Sequence, residues 1–296
     1  MKFSIIIPLY NKAKHIKKTL DSIFSQPFHN FEVIIINDGS NDKSEIVVNE
    51  YIIENNLDKN VFLFNYNNQG VSVARNLGIT HSRGQYLILL DADDILLPYY
   101  LEDINNTIDK ISGNFDILGY SYRRNNKLSV PSNIPDGYIN YFKFYLKYGP
   151  PFCSSSVILN ANSPYIEKNP FPSNEWLGED IYTWTNIITL GGKVYFRNIV
   201  GTEYICCENS AMTKTKSPIK LIRSDSKIIN TDQNYRNFIL YHKKDFLRSC
   251  LINADYRVAK NFLAHEKKLS FITYRMIFLL PNSIIRFLLK IKRTLK

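Results

Sequence analysis

Three carboxylates follow a short apolar run in the first third of the chain. The apolar run covers 86–90, and the next four residues, 91–94, read Asp-Ala-Asp-Asp. If the run is a strand that continues through the acids, alternation places Asp91 and Asp93 on the same face. Paired carboxylates suit Mn²⁺ or Mg²⁺, and such ions commonly hold phosphate groups. The pattern therefore predicts a cation and phosphate site, with the alternative that the acids only cap a helix beginning near Pro98.

Two further polar groups are expected near the same place. Asp38 directly follows the second apolar run, at the edge where open α/β sheets bind ligands, so it could accept hydrogen bonds from a nucleobase or a ribose. A turn aspartate before Gly39 is the alternative. Arg75 lies about one turn into a predicted helix, where a guanidinium can face phosphates. No Gly-x-Gly-x-x-Gly follows the first apolar run, which disfavours an NAD or FAD site.

Four β-rich runs, each followed by helical periodicity, are expected to position these groups. The runs are Phe3 to Leu9, Phe31 to Asn37, Val61 to Tyr66 and Gln85 to Asp91. The run 33–36 is continuously apolar, which indicates a strand covered on both faces, as in a parallel α/β sheet. Asn11 is expected to cap a helix whose apolar residues recur at i, i+4, i+7 and i+8 from Ile16. The sequence thus predicts an α/β fold with a Rossmann-like, mostly parallel sheet flanked by helices.

The rest of the chain is expected to continue the layered pattern and then to become helical. A region rich in Asn, Pro, Gly and Tyr, 123–150, reads as a surface loop with a short helix near 138–147. The other predicted elements are a helix at 98–112, strands at 115–122, 152–159 and 200–206, a helix at 179–190, a helix from Ser217-Pro218 to about Leu247, and two further helical runs.

The positive charge is concentrated at the end of the chain. The formal net charge is +10, yet the segment from Arg257 to Lys296 holds ten Lys and Arg residues against the single acid Glu266. This distribution favours an anionic membrane surface over nucleic acid as a partner. A helix from Pro281 to the end would be amphipathic, with the alternative that it docks on the protein. No apolar run reaches the length of a membrane span.

The cysteines and the first residues suggest a compartment. The four cysteines include no Cys-x-x-Cys, so neither a zinc knuckle nor a redox motif is expected. The first apolar run lacks the features of a secretion signal. We therefore expect a cytoplasmic protein that lies peripherally on the inner face of the cell membrane.

Taken in order and spacing, four motifs resemble the family 2 glycosyltransferases with the GT-A fold, of the bacterial surface-polysaccharide type. They are Ile5-Ile-Ile-Pro8-Leu-Tyr10-Asn11, Asn37-Asp38-Gly39-Ser40, Asn68-x-Gly70-x-x-x-Ala-Arg75-Asn76-x-Gly78 and Asp91-Ala92-Asp93-Asp94. The resemblance is dense from residue 1 to about 125 and thin afterwards. Glu179 and Asp180 add a later match, since such a pair supplies the catalytic base in this family. By themselves these acids could simply begin a helix.

The resemblance implies an inverting, metal-dependent transfer of a hexosyl or N-acetylhexosaminyl group. The donor would be a nucleoside diphosphate sugar, with UDP favoured, and the acceptor a hydroxyl of a glycan or lipid-linked oligosaccharide in O-antigen-like or capsule-like polysaccharide synthesis. Asp180, with Glu179 beside it, would act as the base, and Asp91 and Asp93 would hold Mn²⁺ or Mg²⁺. The residues implied to meet the nucleotide sugar are Pro8, Tyr10, Asp38, Arg75, Asp91, Ala92 and Asp93.

The resemblance also implies a domain division and leaves alternatives open. A GT-A domain would cover 1–215, with 1–122 binding the nucleotide sugar and 123–215 the acceptor, followed by a helical region at 216–296 with the basic tail. No histidine occurs at 204–213, where some GT-A enzymes place a third metal ligand, so metal dependence could be weak. One alternative is a haloacid dehalogenase-like phosphatase that uses Asp91 and Asp93. The other is an inactive, transferase-like scaffold at the membrane.

Overall fold

The structure is a computed structural model that describes residues 1–173, 175, 178–205, 220–223, 232–253, 255–265, 271–280 and 285. The chain divides into two units, residues 1–210 and 211–296. The predicted boundary after residue 215 falls outside the described residues.

Ten strands form one sheet in the described part of the first unit. They are β1 (Phe3–Leu9), β2 (Phe31–Asp38), β3 (Val61–Tyr66), β4 (Tyr86–Leu89), β5 (Ile95–Leu96), β6 (Ile117–Arg124), β7 (Lys127–Leu128), β8 (Gly137–Tyr138), β9 (Val157–Asn160) and β10 (Val194–Tyr204). The strand order is β3-β2-β1-β4-β9-β6-β10-β5, with β7 paired to β6 and β8 to β10.

The long strands of this sheet mostly share one direction. Strands β1 to β4 pair in parallel, and β9 runs antiparallel to both β4 and β6. Because β9 is antiparallel to both β4 and β6, β6 runs in the same direction as β4. Strand β10 pairs in parallel with β6 and therefore shares the direction of the first four strands. The predicted mostly parallel α/β sheet is confirmed. Its carboxyl edge gathers the ends of β1, β2, β4, β6 and β10, and ligands of open α/β sheets bind at such an edge.

Six α-helices flank the sheet in the described part of this unit. They are α1 (Ile16–Phe24), α2 (Ser44–Glu54), α3 (Val71–His81), α4 (Tyr100–Lys110), α5 (Tyr141–Tyr148) and α6 (Glu179–Thr189), and a 3₁₀ turn covers Ser154–Ser156. Helix α1 buries Ile16, Leu20 and Ile23, which the predicted periodicity places on one face. These side chains pack into a core with Ile5 and Val33, so the apolar strands are covered as expected.

Three differences from the sequence prediction in this unit have a clear local cause. Helix α1 has His15 at its N-cap, and Asn11 instead adopts a left-handed conformation with φ 53°, so the predicted Asn11 cap is wrong. The strand predicted at 152–159 begins only at Val157, because the preceding serines form the 3₁₀ turn. The strand predicted at 200–206 begins earlier, at Val194, because it pairs with β6 along most of that strand.

The second unit is helical in its described part. It contains α7 (Lys220–Arg223), α8 (Gln233–Ile252), α9 (Tyr256–His265) and α10 (Ile272–Leu279). The helix expected from Ser217-Pro218 to about Leu247 is not one continuous helix, since α8 begins at Gln233 with Asp232 as its cap. The predicted start of that helix lies outside the described residues. None of the described helices of the chain is long and apolar enough to cross a bilayer. Of the predicted tail helix, the structure describes Ile285 alone, which is buried in this unit's core.

Candidate active site

The acids after β4 lie in a turn and not on a strand. Strand β4 ends at Leu89, and the backbone N–H of Asp94 donates to the carbonyl of Asp91 at 3.0 Å. The expectation that strand alternation aligns Asp91 with Asp93 is therefore wrong. The capping alternative is wrong as well, because the N-cap of α4 is Tyr99, with φ 62°. Each of the three carboxylates of the turn has a different set of partners.

Asp94 is a structural residue of this turn. Its side chain is buried, and it accepts hydrogen bonds from Ser155 Oγ at 2.5 Å and from the backbone N–H of Ile205 at 2.9 Å. Ser155 Oγ also accepts from the N–H of Asp91 at 3.1 Å. Burial, reinforced by the nearby charge of Asp91, raises the pKa of Asp94 well above its ordinary value. Asp94 thus ties the turn to the 3₁₀ segment and to the end of β10.

Arg75 connects the acidic turn to the beginning of α6. Its guanidinium donates from Nη2 to Asp91 at 2.8 Å and from Nη1 to Glu179 at 2.7 Å. The side chain is almost fully buried and lies over the ring of Phe171 at 5.4 Å. Burial alone would lower the pKa of Arg75, but the charges of Asp91 and Glu179 outweigh it and raise the pKa. The fork geometry of arginine holds two carboxylates from distant segments in one arrangement.

Asp180 lies beside this bridge. It is half-buried, with Oδ1 accepting from the N–H of Ile181 at 2.7 Å and Oδ2 within 3.5 Å of Ser154 Oγ. Burial and the charge of Glu179 raise the pKa of Asp180 to about 6, although the charge of Arg75 opposes the rise. A carboxylate with such a pKa is ionised at neutral pH and basic enough to accept a proton from a bound hydroxyl.

Asp38 organises the loop that begins α3. Both of its carboxylate oxygens accept backbone hydrogen bonds, from Gln69 at 2.7 Å and from Gly70 at 2.8 Å. Gly70 has φ 92°, a conformation that disfavours other residues. Asp38 therefore fixes the start of the helix that carries Arg75. That it also contacts a nucleobase or ribose stays a prediction.

The remaining predicted contacts differ in exposure. Tyr10, just after β1, is 46% exposed, whereas Pro8 is half-buried. Ala92 is buried, and its carbonyl accepts a hydrogen bond from Thr19 Oγ1 at 3.0 Å, which anchors the acidic turn to α1. Only Tyr10 of these three offers a large accessible surface. Their roles toward a nucleotide stay predictions.

The donor set of the turn suits a hard divalent cation in part. Asp91 and Asp93 present carboxylate oxygens, which Mn²⁺ and Mg²⁺ prefer. In the part of the chain that the structure describes, no group of three His, Cys, Asp or Glu side chains could hold a metal ion. Two carboxylates are the donor type for a cation whose remaining ligands come from a phosphate-bearing substrate and water. That Asp91 and Asp93 hold such a cation stays a prediction.

Two residues near the site were missed by the sequence reasoning. Lys12 donates from Nζ to Asp93 Oδ2 at 2.5 Å. The sequence feature that could have indicated this role is a basic residue directly after the first motif. Ser155 supports both Asp91 and Asp94, but a serine in a run of three carries no local signal for this role. Of the predicted residues, the structure brings together Arg75, Asp91, Glu179 and Asp180. Asp93 lies in the same turn as Asp91 and pairs with Lys12 instead. Residues 176 and 177, which precede the acid pair, lie outside the described part.

The sequence of the chain is similar to those of known glycosyltransferases. The chain is 28% identical over 207 residues to glycosyltransferase GlyA of Streptococcus pneumoniae, a match that covers 67% of this chain and 29% of GlyA. It is 36% identical over 118 residues to the minor teichoic acid biosynthesis protein GgaB of Bacillus subtilis, which covers 39% of this chain and 13% of GgaB. The chain therefore spans less than a third of the length of either relative.

A solved structure supports the fold. The crystal structure of Staphylococcus aureus TarS 1–349 in complex with UDP-GlcNAc matches with a TM-score of 0.66 and 21% identity, covering 92% of this chain and 77% of that one. This likeness confirms the predicted GT-A fold. The family profile described as Glycosyl transferase family 2 matches residues 4–164. That match excludes the phosphatase alternative and, because it covers more than half of the chain, it establishes that the protein belongs to the family 2 glycosyltransferases.

Proposed function

We propose that the chain is an inverting transferase that moves a hexosyl or N-acetylhexosaminyl group from a UDP-sugar to a hydroxyl of a glycan or lipid-linked oligosaccharide. The observation that carries the proposal is the Arg75 bridge, which places the acidic turn at Asp91 next to Glu179 and Asp180. The crystal structure of TarS with UDP-GlcNAc supports UDP, and the teichoic acid relative supports a surface polymer as the acceptor class.

The proposed chemistry is a single displacement. Asp180 accepts the proton of the acceptor hydroxyl while the oxygen of that hydroxyl bonds to the anomeric carbon. At the same time the bond from the anomeric carbon to the diphosphate breaks. Asp91 and Asp93 would hold Mn²⁺ or Mg²⁺, which when bound supplies charge stabilisation to the leaving diphosphate. Attack opposite the leaving group inverts the anomeric configuration, and UDP is released.

A screen of nucleotide sugars tests this function directly. With Mn²⁺ present, a donor at 100 times its Kd should stabilise the chain by about 2.7 kcal/mol. The stabilising donor is then incubated with glycan acceptors, and the anomeric configuration of the product is read by NMR. A protein that binds UDP-sugars but transfers the sugar to none of the acceptors, so that no UDP is released, would favour the inactive scaffold instead.

The two last acids of the turn should respond differently to substitution. Asp93→Ala should weaken Mn²⁺-dependent UDP binding roughly 10- to 100-fold, since it removes a proposed metal ligand. Asp94→Ala should leave binding by the folded protein almost unchanged but cost about 1–3 kcal/mol of stability, because Ser155 and the N–H of Ile205 lose their acceptor. Calorimetry with and without a chelator, combined with urea unfolding, measures both effects. Equal losses of UDP binding would contradict these roles.

The rate of transfer should fall as the pH drops through about 6, where Asp180 becomes protonated. Glu179→Gln removes a negative charge that raises the pKa of Asp180, so the fall in transfer rate on the acid side should occur at a lower pH in this variant. Initial rates measured from about pH 5 to pH 8, with saturating substrates, give this pH dependence. Measuring the Kd for UDP over the same range separates a change in donor binding from the titration of the base. A rate that stays constant through pH 6 would argue against Asp180 as the base.

We also propose that the basic C-terminal tail attracts the protein to anionic membranes, which would place it peripherally on the inner face of the cell membrane. The support is the sequence from Arg257 onward, with ten basic residues and one acid. Replacing Arg286, Lys290 and Arg293 by Gln should weaken binding to anionic vesicles at least about tenfold, since each basic residue near such a surface contributes about 1 kcal/mol. Replacing the exposed Lys14, Lys17 and Lys18 by Gln is the control of equal charge. Equal effects of the two sets would contradict a role of the tail.

A further inference from the structure

Lys12 is a partly exposed cation that pairs with an acid of the candidate site. Its Nζ lies 2.5 Å from Asp93 Oδ2, and its side chain keeps 27% of its surface exposed, against 14% for that of Asp93. The ammonium therefore occupies one oxygen of a carboxylate that the proposed function gives to a divalent cation. The Lys12 ammonium and a divalent cation would repel each other at that oxygen, so each would weaken the binding of the other.

The backbone from which Lys12 projects is fixed. Three consecutive N–H groups of this loop donate to side chains of the segment 40–44, which follows β2. The pairs are Asn11 N to Ser40 Oγ at 3.1 Å, Lys12 N to Ser44 Oγ at 2.8 Å and Ala13 N to Asp42 Oδ2 at 3.1 Å. The origin of the side chain therefore stays in place, while its four-carbon stem lets the ammonium reach a range of positions around Asp93.

Arg75, which pairs with Asp91, is held more rigidly than Lys12. Its guanidinium is bound by two carboxylates, at 2.7 and 2.8 Å, and only 3% of its side chain is exposed. Moving it would leave Asp91 and the buried Glu179 without their counter-ion, which costs stability. Arg75 is a fixed cation, whereas Lys12 has the exposure and the stem of one that can change its partner.

We propose that Lys12 is an exchangeable cation of the donor site, which neutralises Asp93 in the ligand-free chain and binds the donor diphosphate when a divalent cation takes over that carboxylate. The inference rests on the proposed function, because it needs a diphosphate donor. A diphosphate arriving beside Asp91, Glu179 and Asp180 meets three acids, and the guanidinium of Arg75 is already bound by two of them. An ammonium released from Asp93 supplies positive charge at the place where the leaving group develops negative charge.

The test compares Lys12→Met, which keeps the stem and removes the charge, with Lys14→Met, the same change at an exposed residue of the same loop. Two constants are measured on the full chain: the Kd for Mn²⁺ alone, by electron paramagnetic resonance, and the Kd for UDP in saturating Mn²⁺, by calorimetry. Lys12→Met should bind Mn²⁺ alone about tenfold more tightly and UDP about tenfold more weakly. Lys14→Met should change both constants less than about twofold, and Lys12→Arg should restore UDP binding.

The opposite signs of the two effects separate exchange from other roles. If Lys12→Met changes both constants in the same direction, or neither, while the wild-type chain binds UDP, the exchange is refuted and the proposed function stands. If the wild-type chain does not bind UDP, the proposed donor is refuted and the exchange with it. Changes in Lys14→Met equal to those in Lys12→Met would also refute the exchange, because they would show a general charge effect.

Discussion

Asp180→Asn is expected to reduce turnover by roughly 10²- to 10⁴-fold, the usual range for the loss of a general base. The amide keeps the shape of the carboxylate but cannot accept the proton of the acceptor hydroxyl. The Kd for UDP should stay within about twofold, since the base acts on the acceptor and not on the donor. Single-turnover rates with a competent acceptor, together with UDP calorimetry, measure both quantities.

The stability of Asp180→Asn separates a catalytic role from a structural one. Burial raises the pKa of Asp180 to about 6, so the folded state disfavours the ionised carboxylate at neutral pH. Replacing it by a neutral amide removes that unfavourable charge, and the variant should be at least as stable as the wild type at pH 7. Near-normal transfer by this variant would make Asp180 a helix-start residue only, and Glu179 would become the candidate base.

Arg75→Met should lower the free energy of unfolding of the first unit by about 3 kcal/mol, because it leaves the carboxylates of Asp91 and Glu179 without their shared counter-ion. The lower end of the usual range is expected, since the side chain of Asp91 is 29% exposed and water can solvate it. Transfer activity should fall as well, because the bridge aligns the acidic turn with Asp180. Urea unfolding is followed by tryptophan fluorescence, since both tryptophans, Trp176 and Trp184, belong to the first unit.

Two controls test this explanation. Lys17→Met breaks an ion pair with Asp21 in which both side chains are more than half exposed, and it should cost no more than about 1 kcal/mol. The double variant Arg75→Met with Glu179→Gln should be more stable than Arg75→Met alone, because it removes one of the unpaired charges. If the double variant is no more stable than Arg75→Met alone, unpaired charge is not the cause.

Local patterns in the sequence were sufficient for the first three strands of the sheet. The bounds of β1 and β3 match the predicted runs, and β2 is longer by Asp38 alone, because a continuous apolar run that is covered on both faces has few alternatives to a buried strand. The apolar spacing of α1 likewise placed Ile16, Leu20 and Ile23 in the core. The same local reasoning failed at Asn11, where contacts with the segment after β2 decide the backbone. The Oδ1 atom of Asn11 accepts from the N–H of Asn41 at 2.9 Å, and this pairing holds the residue outside the helix.

The sequence by itself determined which residue types are available for chemistry, since the spacing of Asp91, Asp93 and the Glu179-Asp180 pair is visible without a structure. Only the tertiary structure decided their partners. Strand β9 returns antiparallel between β4 and β6, which brings Ser155 to Asp94 and assigns that acid to the fold. Pairings across some 60 to 110 residues leave no periodic trace in the chain, because they depend on strand order and loop paths, whereas strands and helices are set by neighbours in sequence.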